Sequence, residues 1–297
     1  MNILIVRTGG LGDCILTLPV VSYLKDIISG ARFSVLGDGN MLAISKLSGL
    51  FENFYFIDNA QYSALFSEKK PSPYLRSFFS LFDEVYFFTA GNCREIERMV
   101  IEAGAGKCFT LNPKQPEGWS DKHIVLHYLS IVPEFNEQNL ADFSSFLPHF
   151  SGTDKSGTGL VIHPGSGSVD KNWPTERFCY AADEYMGKVK VVLGPAEIER
   201  GYKSYFDMKS IDVEIIETFD ELCDVLSGAS LYLGNDSGVS HLAAAYGTIG
   251  VVLFGTTDPV VWRPPYTTIT VINSSDGTMT GISTQEVLDA LYSADEK

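Results

Sequence analysis

Short apolar runs alternate with amphipathic stretches in the first half of the chain, a pattern typical of a parallel α/β fold. The predicted strands cover residues 3–6, 33–36, 54–57, 84–88 and 108–111. A helical pattern follows the first strand and predicts a buried helix that is kinked or started near Pro19. Residues 122–129 predict another helix, whereas residues 62–74 contain Ser, Lys and Pro and predict an exposed, irregular connection.

The second half repeats this alternation with clearer helix starts. Its predicted strands cover residues 160–162, 189–193, 213–216, 231–233, 249–254 and 268–272. Pro174 opens a helix as a first-turn proline, and Thr218 and Glu221 form the capping-box pattern of another. The same pattern at Ser283 and Glu286 begins a terminal helix. The two halves therefore predict two doubly wound, Rossmann-like α/β domains.

A stretch of small and polar residues separates the two halves. Residues 151–158 are Ser-Gly-Thr-Asp-Lys-Ser-Gly-Thr, a composition typical of a flexible linker. We place the domain boundary there, which gives an N-terminal domain over 1–152 and a C-terminal domain over 153–297. A chain of 297 residues is long enough for two such domains, each with its own core.

Composition and charge argue against several classes of protein. The formal net charge of −15 disfavours binding to nucleic acid, which depends on neutralising phosphates with Lys and Arg. The sequence has no apolar run near the roughly 20 residues of a membrane span, and its first apolar run is too short for a signal peptide. We therefore expect a cytoplasmic protein. The five cysteines are widely spaced without a C-x-x-C motif, which argues against a disulfide framework or a zinc site.

The stretch from Gly234 to His241 is the most informative turn of the second half. A buried-strand pattern ends at Gly-Asn-Asp-Ser-Gly, and a small-residue helix pattern begins at Val239. Asp236 or Ser237 would cap this helix, so that the free N–H groups of its first turn face the carboxyl edge of the sheet. His241, one turn further, could reach the same place. This arrangement predicts a pocket for an anion such as a diphosphate, and the alternative is an Asx cap with a surface-facing histidine.

The turn after the first strand is Thr-Gly-Gly-Leu-Gly-Asp over residues 8–13. Its glycine spacing is not the G-x-G-x-x-G of a dinucleotide fingerprint, and Asp13 at the helix N-terminus would repel a pyrophosphate. The helix dipole favours the ionised form of this carboxylate. Asp13 is therefore a candidate general base for a hydroxyl group, and the alternative is an ordinary first-turn aspartate that only complements the dipole.

A further loop follows the strand at 160–162 and has the sequence His-Pro-Gly-Ser-Gly-Ser, with Lys171 three residues beyond it. Its N–H groups, hydroxyls and ammonium group form a candidate phosphate cradle, although the Walker A spacing is missing. The alternative is a Gly/Ser turn with a solvated lysine. Glu197, after the strand at 189–193, is either an acceptor of ribose hydroxyl groups or a surface residue at a helix start.

The loop at 254–259 completes a set of post-strand loops that meet at one edge of the predicted sheet. Open α/β sheets bind their ligands at this carboxyl edge. The sequence contains no Asp-x-Asp pair and no His/Cys cluster with metal-ligand spacing, so we expect no metal ion.

Jointly these motifs resemble glycosyltransferase family 9, the heptosyltransferase family of lipopolysaccharide core assembly. The resemblance is carried by the N-terminal Ile-Leu-Ile-Val-Arg-Thr-Gly-Gly-Leu-Gly-Asp with Leu18 and Pro19, by His-Pro-Gly-Ser at 163–166 with Lys171, Trp173 and Pro174, by Gly-Asn-Asp-Ser-Gly at 234–238 with His241, and by Phe254, Gly255, Asp258 and Pro259. The motifs occur in the family's order and span nearly the whole chain, so the set is specific although each motif alone is weak.

The resemblance implies a GT-B fold, in which two Rossmann-like domains face a cleft, the first holding the acceptor and the second the nucleotide-sugar. It also implies that the terminal helix, about 283–295, packs back on the first domain. The implied reaction is the inverting transfer of a heptose from ADP-heptose to a lipopolysaccharide core or related glycan, without a metal ion or other cofactor. The partners are then the nucleotide-sugar donor and a glycan or glycolipid acceptor, met in the cytoplasm or at the inner face of the bacterial membrane.

The resemblance assigns roles to residues at matching positions. Asp13 would deprotonate the acceptor hydroxyl, with Thr8, Gly9 and Gly10 on the acceptor side. The donor diphosphate would be bound by Ser166, Gly167, Ser168, Lys171, Ser237, Gly238 and His241. The donor sugar and nucleoside would be contacted by Asp236, Glu197 and Gly255.

The acceptor region departs from the family's pattern. Residues 54–111 are short for the family and poor in the cations expected for an anionic acceptor, for which the candidates are Arg76, Arg94, Arg98, Lys69 and Lys70. The alternatives are a transferase or epimerase using another nucleotide-sugar, or a catalytically silent nucleotide-sugar-binding protein. An NAD-dependent oxidoreductase is disfavoured by the glycine spacing and by Asp13.

Overall fold

The computed structural model describes residues 1–67, 70–137, 142–152 and 159–296. The chain divides into two compact units, unit 1 (Met1–Pro148) and unit 2 (His149–Lys297). This division lies a few residues before the predicted domain boundary at 152/153. Most of the predicted linker, 153–158, lies outside the described residues.

Unit 1 is a doubly wound sheet with the strand order β3-β2-β1-β4-β5, and neighbouring strands pair in parallel. The strands are β1 (Asn2–Arg7), β2 (Arg32–Gly37), β3 (Asn53–Phe56), β4 (Glu84–Phe88) and β5 (Lys107–Leu111). The helices are α1 (Leu11–Ile27), α2 (Gly39–Ser48), α3 (Ala64–Ser67), α4 (Pro73–Phe79), α5 (Cys93–Glu102) and α6 (Ile124–Leu129). All the strands predicted in this half are confirmed. Residues 3–6 in β1 are fully buried, as expected for a central parallel strand covered on both faces.

Unit 2 has the same design, with the strand order β11-β10-β9-β6-β7-β8 and parallel pairing. The strands are β6 (Leu160–His163), β7 (Val189–Leu193), β8 (Val213–Ile215), β9 (Leu231–Asn235), β10 (Ile249–Phe254) and β11 (Ile269–Asn273). The helices are α7 (Thr175–Glu184), α8 (Pro195–Glu199), α9 (Lys203–Asp207), α10 (Phe219–Ser227), α11 (Gly238–Ala245), α12 (Pro259–Trp262) and α13 (Thr284–Asp295). This order is that of a Rossmann sheet, as predicted.

One alternative for α1 and one local prediction for unit 1 were wrong. Helix α1 begins at Leu11 and continues through Pro19, so it does not start at the proline, whereas a kink there stays a prediction. The connection at 62–74 contains short helices and is partly buried, since Tyr62 and Leu65 are only 2% and 4% exposed. Aromatic packing explains this burial, because the Tyr62 ring contacts Phe78 with 5.1 Å between ring centroids.

The terminal helix α13 is capped by Ser283, whose hydroxyl accepts the N–H of Glu286. Its apolar face lies in the core of unit 2, with Val287 and Leu291 fully buried. Packing of this helix against the first domain stays a prediction. No helix in the described part of the chain is both long and apolar enough to cross a bilayer.

Asn235 connects the ends of two neighbouring strands of unit 2. Its side chain is 0% exposed, its Nδ2 donates to the carbonyl of Pro164 at 2.8 Å, and its Oδ1 accepts the N–H of Trp173 at 3.0 Å. Because β6 and β9 are paired in parallel, this side chain joins the loop after β6 to the end of β9. Asn235 therefore holds the post-β6 loop in place.

We predict that Asn235→Ala lowers the free energy of unfolding by about 2–4 kcal/mol, because it leaves a buried carbonyl and a buried N–H without partners. Chemical denaturation followed by tryptophan fluorescence measures this loss. Asn273→Ala is the matched control, since Asn273 is exposed at the end of β11 in the same unit. The control should change stability by less than about 0.5 kcal/mol. Equal losses in the two variants would contradict the role given to Asn235.

Candidate functional site

The glycine turn of unit 1 is held by the segment that follows β2, at the start of α2. Gly9 has φ +144°, a conformation that favours glycine. Its N–H donates to Oδ2 of Asp38 at 2.8 Å, and its carbonyl accepts the amide Nδ2 of Asn40 at 3.0 Å. The other oxygen of Asp38 caps α2 by accepting the N–H of Met41. Thr8, Gly9 and Gly10 therefore lie exposed at the carboxyl end of β1, where the sequence predicted them.

Asp13 lies in the first turn of α1 with its side chain 38% exposed. One carboxylate oxygen, Oδ1, is 3.3 Å from Nη2 of Arg7 and accepts the hydroxyl of Tyr128 at 3.2 Å. The other oxygen, Oδ2, faces the turn at Gly9 and Gly10 and has no hydrogen bond within the described residues. Oδ2 is thus the oxygen open to an incoming group.

Arg7 is buried between aromatic rings, with its guanidinium carbon 5.7 Å from the Phe88 ring centroid and 5.3 Å from that of Tyr128. Burial raises the pKa of Tyr128, so its phenol stays protonated as the donor to Asp13. No role for Arg7 or Tyr128 was predicted from the sequence. Tyr128 lies on a helix far along the chain, and only the folded unit brings it to Asp13.

A cavity of about 700 Å³ lies beside this group, at the carboxyl ends of the strands of unit 1. Its lining residues are Val6, Arg7, Thr8, Asp38, Ile57, Asp58, Asn59, Ala60, Ser63, Phe66, Phe87, Phe88, Thr89, Ala90 and Pro113. Arg7 both lines the cavity and contacts Asp13, which places the cavity next to the candidate base. Its volume is sufficient for a small organic ligand.

In unit 2, the loop after β6 is ordered by its own hydroxyl groups. Oγ of Ser166 lies 2.6 Å from both the carbonyl oxygen of Ser168 and Oδ1 of Asn172. Gly165 is required there, because a Cβ at this position would lie only 1.8 Å from Oε1 of Glu197. Gly167 is open, with nothing within 4 Å of the position of a Cβ. Ser166 is nearly buried while Gly167 and Ser168 are exposed at the turn.

Lys171 and Asp236 form an ion pair between this loop and the end of β9. Nζ of Lys171 lies 2.7 Å from Oδ2 of Asp236, and the hydroxyl of Thr257 donates to the same oxygen at 2.7 Å. Asp236 is 8% exposed, whereas the Lys171 side chain is 32% exposed. The three loops that follow β6, β9 and β10 therefore meet at one carboxylate. The sequence predicted this meeting of loops, but it did not identify Thr257.

Helix α11 begins beside this ion pair. Ser237 is its N-cap and accepts the N–H of Ser240, so the sequence was correct to place a cap at Asp236 or Ser237. The N–H groups at Gly238 and Val239 belong to the first turn, which leaves such donors without helical partners. His241 is 4% exposed, so the alternative of a surface-facing histidine was wrong.

Glu197 is 5% exposed and caps its own short helix, with Oε2 accepting the N–H of Gly194 at 2.9 Å. The alternative of an exposed surface glutamate was therefore wrong. Nε2 of His163 lies 3.9 Å from the same carboxylate. Burial lowers the pKa of His163 against the opposing effect of Glu197, so this imidazole is neutral at neutral pH.

Gly255, at the end of β10, makes room for another segment. A Cβ there would lie 2.7 Å from Sδ of Met279 and 2.8 Å from its backbone nitrogen. Within the described residues, no group of three or more His, Cys, Asp or Glu side chains could hold a metal ion. The polar groups at this edge of unit 2 include backbone N–H groups, hydroxyls, the carboxylate of Asp236, the partly exposed ammonium group of Lys171 and the guanidinium of Arg200, which donates to the carbonyl of Ser166 at 3.3 Å.

Comparison with known proteins connects these features to one family. The model of glycosyltransferase family 9 (heptosyltransferase) matches residues 120–290, more than half of the chain. Lipopolysaccharide heptosyltransferase 3 of Escherichia coli is 26% identical over 292 residues, covering 85% of this chain and 83% of that protein.

Solved structures show the same fold. The E. coli ADP-heptose lipopolysaccharide heptosyltransferase II has a TM-score of 0.77 at 16% identity, covering 100% of this chain and 99% of that one. The E. coli heptosyltransferase WaaC with ADP-2-deoxy-2-fluoro heptose has a TM-score of 0.70 at 18% identity, covering 99% of both chains. The fold is thus the predicted GT-B fold, and the resemblance seen in the sequence is confirmed. The chain belongs to glycosyltransferase family 9, the heptosyltransferase family, and is a glycosyltransferase.

Proposed function

We propose that this enzyme transfers a heptose from ADP-heptose to a hydroxyl group of a lipopolysaccharide core or related glycan, with inversion at the anomeric carbon and without a metal ion. The family and the names of its relatives support the heptose and the nucleotide. The observation that carries the proposal is the Lys171–Asp236 ion pair beside the start of α11, since it provides a cation where a diphosphate would bind. The acceptor would be met in the cytoplasm or at the inner membrane face, which cell fractionation would show.

In the donor half of this proposal, the diphosphate lies against the loop at Ser166, Gly167 and Ser168 and against the first turn of α11. N–H groups at Ser237 and Gly238 and the helix dipole favour an anion there. His241 lies one turn further on the same helix. We assign it to the phosphate end of the donor.

In this proposal, Lys171 takes the role that a divalent cation has in metal-dependent enzymes. Negative charge grows on ADP as the bond to the sugar breaks, and a nearby ammonium group stabilises that charge. Asp236 holds Lys171 in place before the donor arrives, and its carboxylate is then available to accept sugar hydroxyl groups. Glu197 and Gly255 are assigned to the nucleoside side, at the ends of β7 and β10.

In the acceptor half, Oδ2 of Asp13 removes the proton from the attacking hydroxyl. The acceptor oxygen forms a bond to the anomeric carbon while the bond from that carbon to the diphosphate oxygen breaks. The electron pair leaves with ADP, and the proton remains on Asp13. Attack from the side opposite to the leaving group inverts the anomeric configuration.

Arg7 and Tyr128 are positioning residues in this mechanism. They hold Oδ1 of Asp13, so Oδ2 points to the open turn. The reaction therefore depends on the base being well placed as well as on its strength.

We predict a selective stabilisation of the enzyme by ADP. In thermal unfolding with equal, saturating ADP, UDP, GDP, CMP or NAD, ADP should raise the melting temperature by a few degrees and the others by less. Lys171→Gln should remove most of the ADP shift. Lys209→Gln is the matched control, because Lys209 pairs with Asp183 on the surface of the same unit.

A preference for UDP or GDP would be consistent with a glycosyltransferase but would contradict ADP-heptose as its donor. No shift with any nucleotide would argue against a nucleotide-sugar site in unit 2. An equal loss of the ADP shift in both lysine variants would remove Lys171 from the donor site.

We further predict that Asp13→Asn lowers kcat by about 10²–10⁴-fold while ADP still shifts the melting temperature, because only the proton acceptor is lost. Release of ADP from ADP-heptose in the presence of acceptor measures the rate. Tyr128→Phe is the companion variant. It keeps the carboxylate of Asp13 and should lower kcat far less. Turnover retained in Asp13→Asn would exclude Asp13 as the base.

A further inference from the structure

The charges that line the cavity of unit 1 are predominantly acidic. Its titratable lining residues are Arg7, Asp38 and Asp58. The charge of Arg7 is balanced by Asp13, 3.3 Å away. Among the described lining residues, the two carboxylates Asp38 and Asp58 therefore have no balancing cation.

The two carboxylates have different surroundings. Asp38 accepts backbone N–H groups with both oxygens, from Gly9 at 2.8 Å and Met41 at 3.0 Å, so its place in the wall is fixed. Asp58 is exposed and forms no hydrogen bond or ion pair within the described part of the chain. Its oxygens are free to accept hydroxyl groups from a ligand.

Among the described residues, the cations expected for an anionic acceptor do not line the cavity. Arg76, Arg94 and Arg98 are not among the residues that line the cavity. Arg76 donates to the carbonyl of Glu102 at 2.8 Å, and Arg98 forms an ion pair with the carboxylate of the same residue. Lys70 is exposed and does not line the cavity either. The adjacent residues 68–69, a glutamate and the candidate Lys69, lie outside the described residues and have opposite formal charges.

The rest of the wall combines apolar and aromatic side chains with uncharged polar ones at Thr8, Asn59, Ser63 and Thr89. Phe66 is 59% exposed at the cavity, and Ile57, Phe88 and Pro113 add further apolar surface. An exposed aromatic ring beside a hydroxyl-accepting carboxylate is suited to a ring with a C–H face and several hydroxyl groups. That is the chemistry of a sugar.

We propose that this cavity binds an uncharged sugar as the acceptor and discriminates against phosphorylated or carboxylated sugars. This inference rests on the proposed function, because it assumes that unit 1 holds the acceptor beside Asp13. Hydroxyl groups of a neutral sugar donate to Asp58, whereas a phosphate at the same place is repelled by Asp58 and Asp38. At about 6 Å and an intermediate dielectric, one such repulsion weakens binding on the order of tenfold.

The test compares methyl α-D-mannopyranoside with its 6-phosphate as probes, by ligand-observed NMR titration of the full chain with ADP present. The wild type should bind the neutral probe about tenfold or more tightly than the phosphate. Asp58→Asn should lower the ratio of the two dissociation constants, that of the phosphate over that of the neutral probe, by about three- to tenfold, mainly because the phosphate binds better. Asp26→Asn is the matched control: it removes the same charge at the other end of α1, roughly 20 Å from Asp13 along the helix axis, and should leave the ratio unchanged.

Tighter binding of the phosphate to the wild type, or no binding of the neutral probe, would overturn the proposal. An unchanged ratio in Asp58→Asn, or the same change in Asp26→Asn, would also overturn it. The ADP-induced shift in melting temperature, measured on the same samples, reports on the proposed function separately. If ADP did not shift the melting temperature but the preference for the neutral sugar remained, the result would contradict ADP as the nucleotide of the donor. The assignment of the cavity to the acceptor would still hold.

Discussion

Parallel strand pairing is the constraint on which the rest of each unit depends. Because every paired strand ends at the same edge, residues far apart in the chain are brought together there. In unit 2 this edge unites Lys171, Asp236 and Thr257, which follow three different strands. In unit 1 it unites the Gly9 turn with Asp38. Asn235 stabilises the arrangement by joining the loop after β6 to the end of β9.

Charge at both edges is arranged in pairs of a cation and a carboxylate. Arg7 is almost completely buried and holds Asp13, so the cation orients the proposed base. In the other unit the roles are reversed, because the carboxylate of Asp236 is buried and holds a partly exposed Lys171. A buried charge without its partner would be costly, so each pair is fixed before any substrate arrives. This preorganisation supports the proposed transfer without a metal ion.

Much of this organisation could be predicted from the sequence. The apolar runs located the strands, and the capping pattern at Thr218 and Glu221 located the start of α10. The prediction failed where tertiary packing decides the outcome. Tyr62 is buried by aromatic neighbours that lie later in the chain, and the start of α1 is set by the turn at Gly10 although the sequence drew attention to Pro19. Tyr128 had no local signal, since its contact with Asp13 exists only in the folded unit.

The central claim is that the protein itself supplies the positive charge that holds the donor diphosphate. Calorimetric titration with ADP-heptose after treatment with EDTA, repeated with Mg²⁺ restored, tests it most directly. We predict binding of equal affinity in both conditions, because Lys171 and the first turn of α11 are already in place. Binding that appears only with the metal ion, or no binding of ADP-heptose in either condition, would contradict the account.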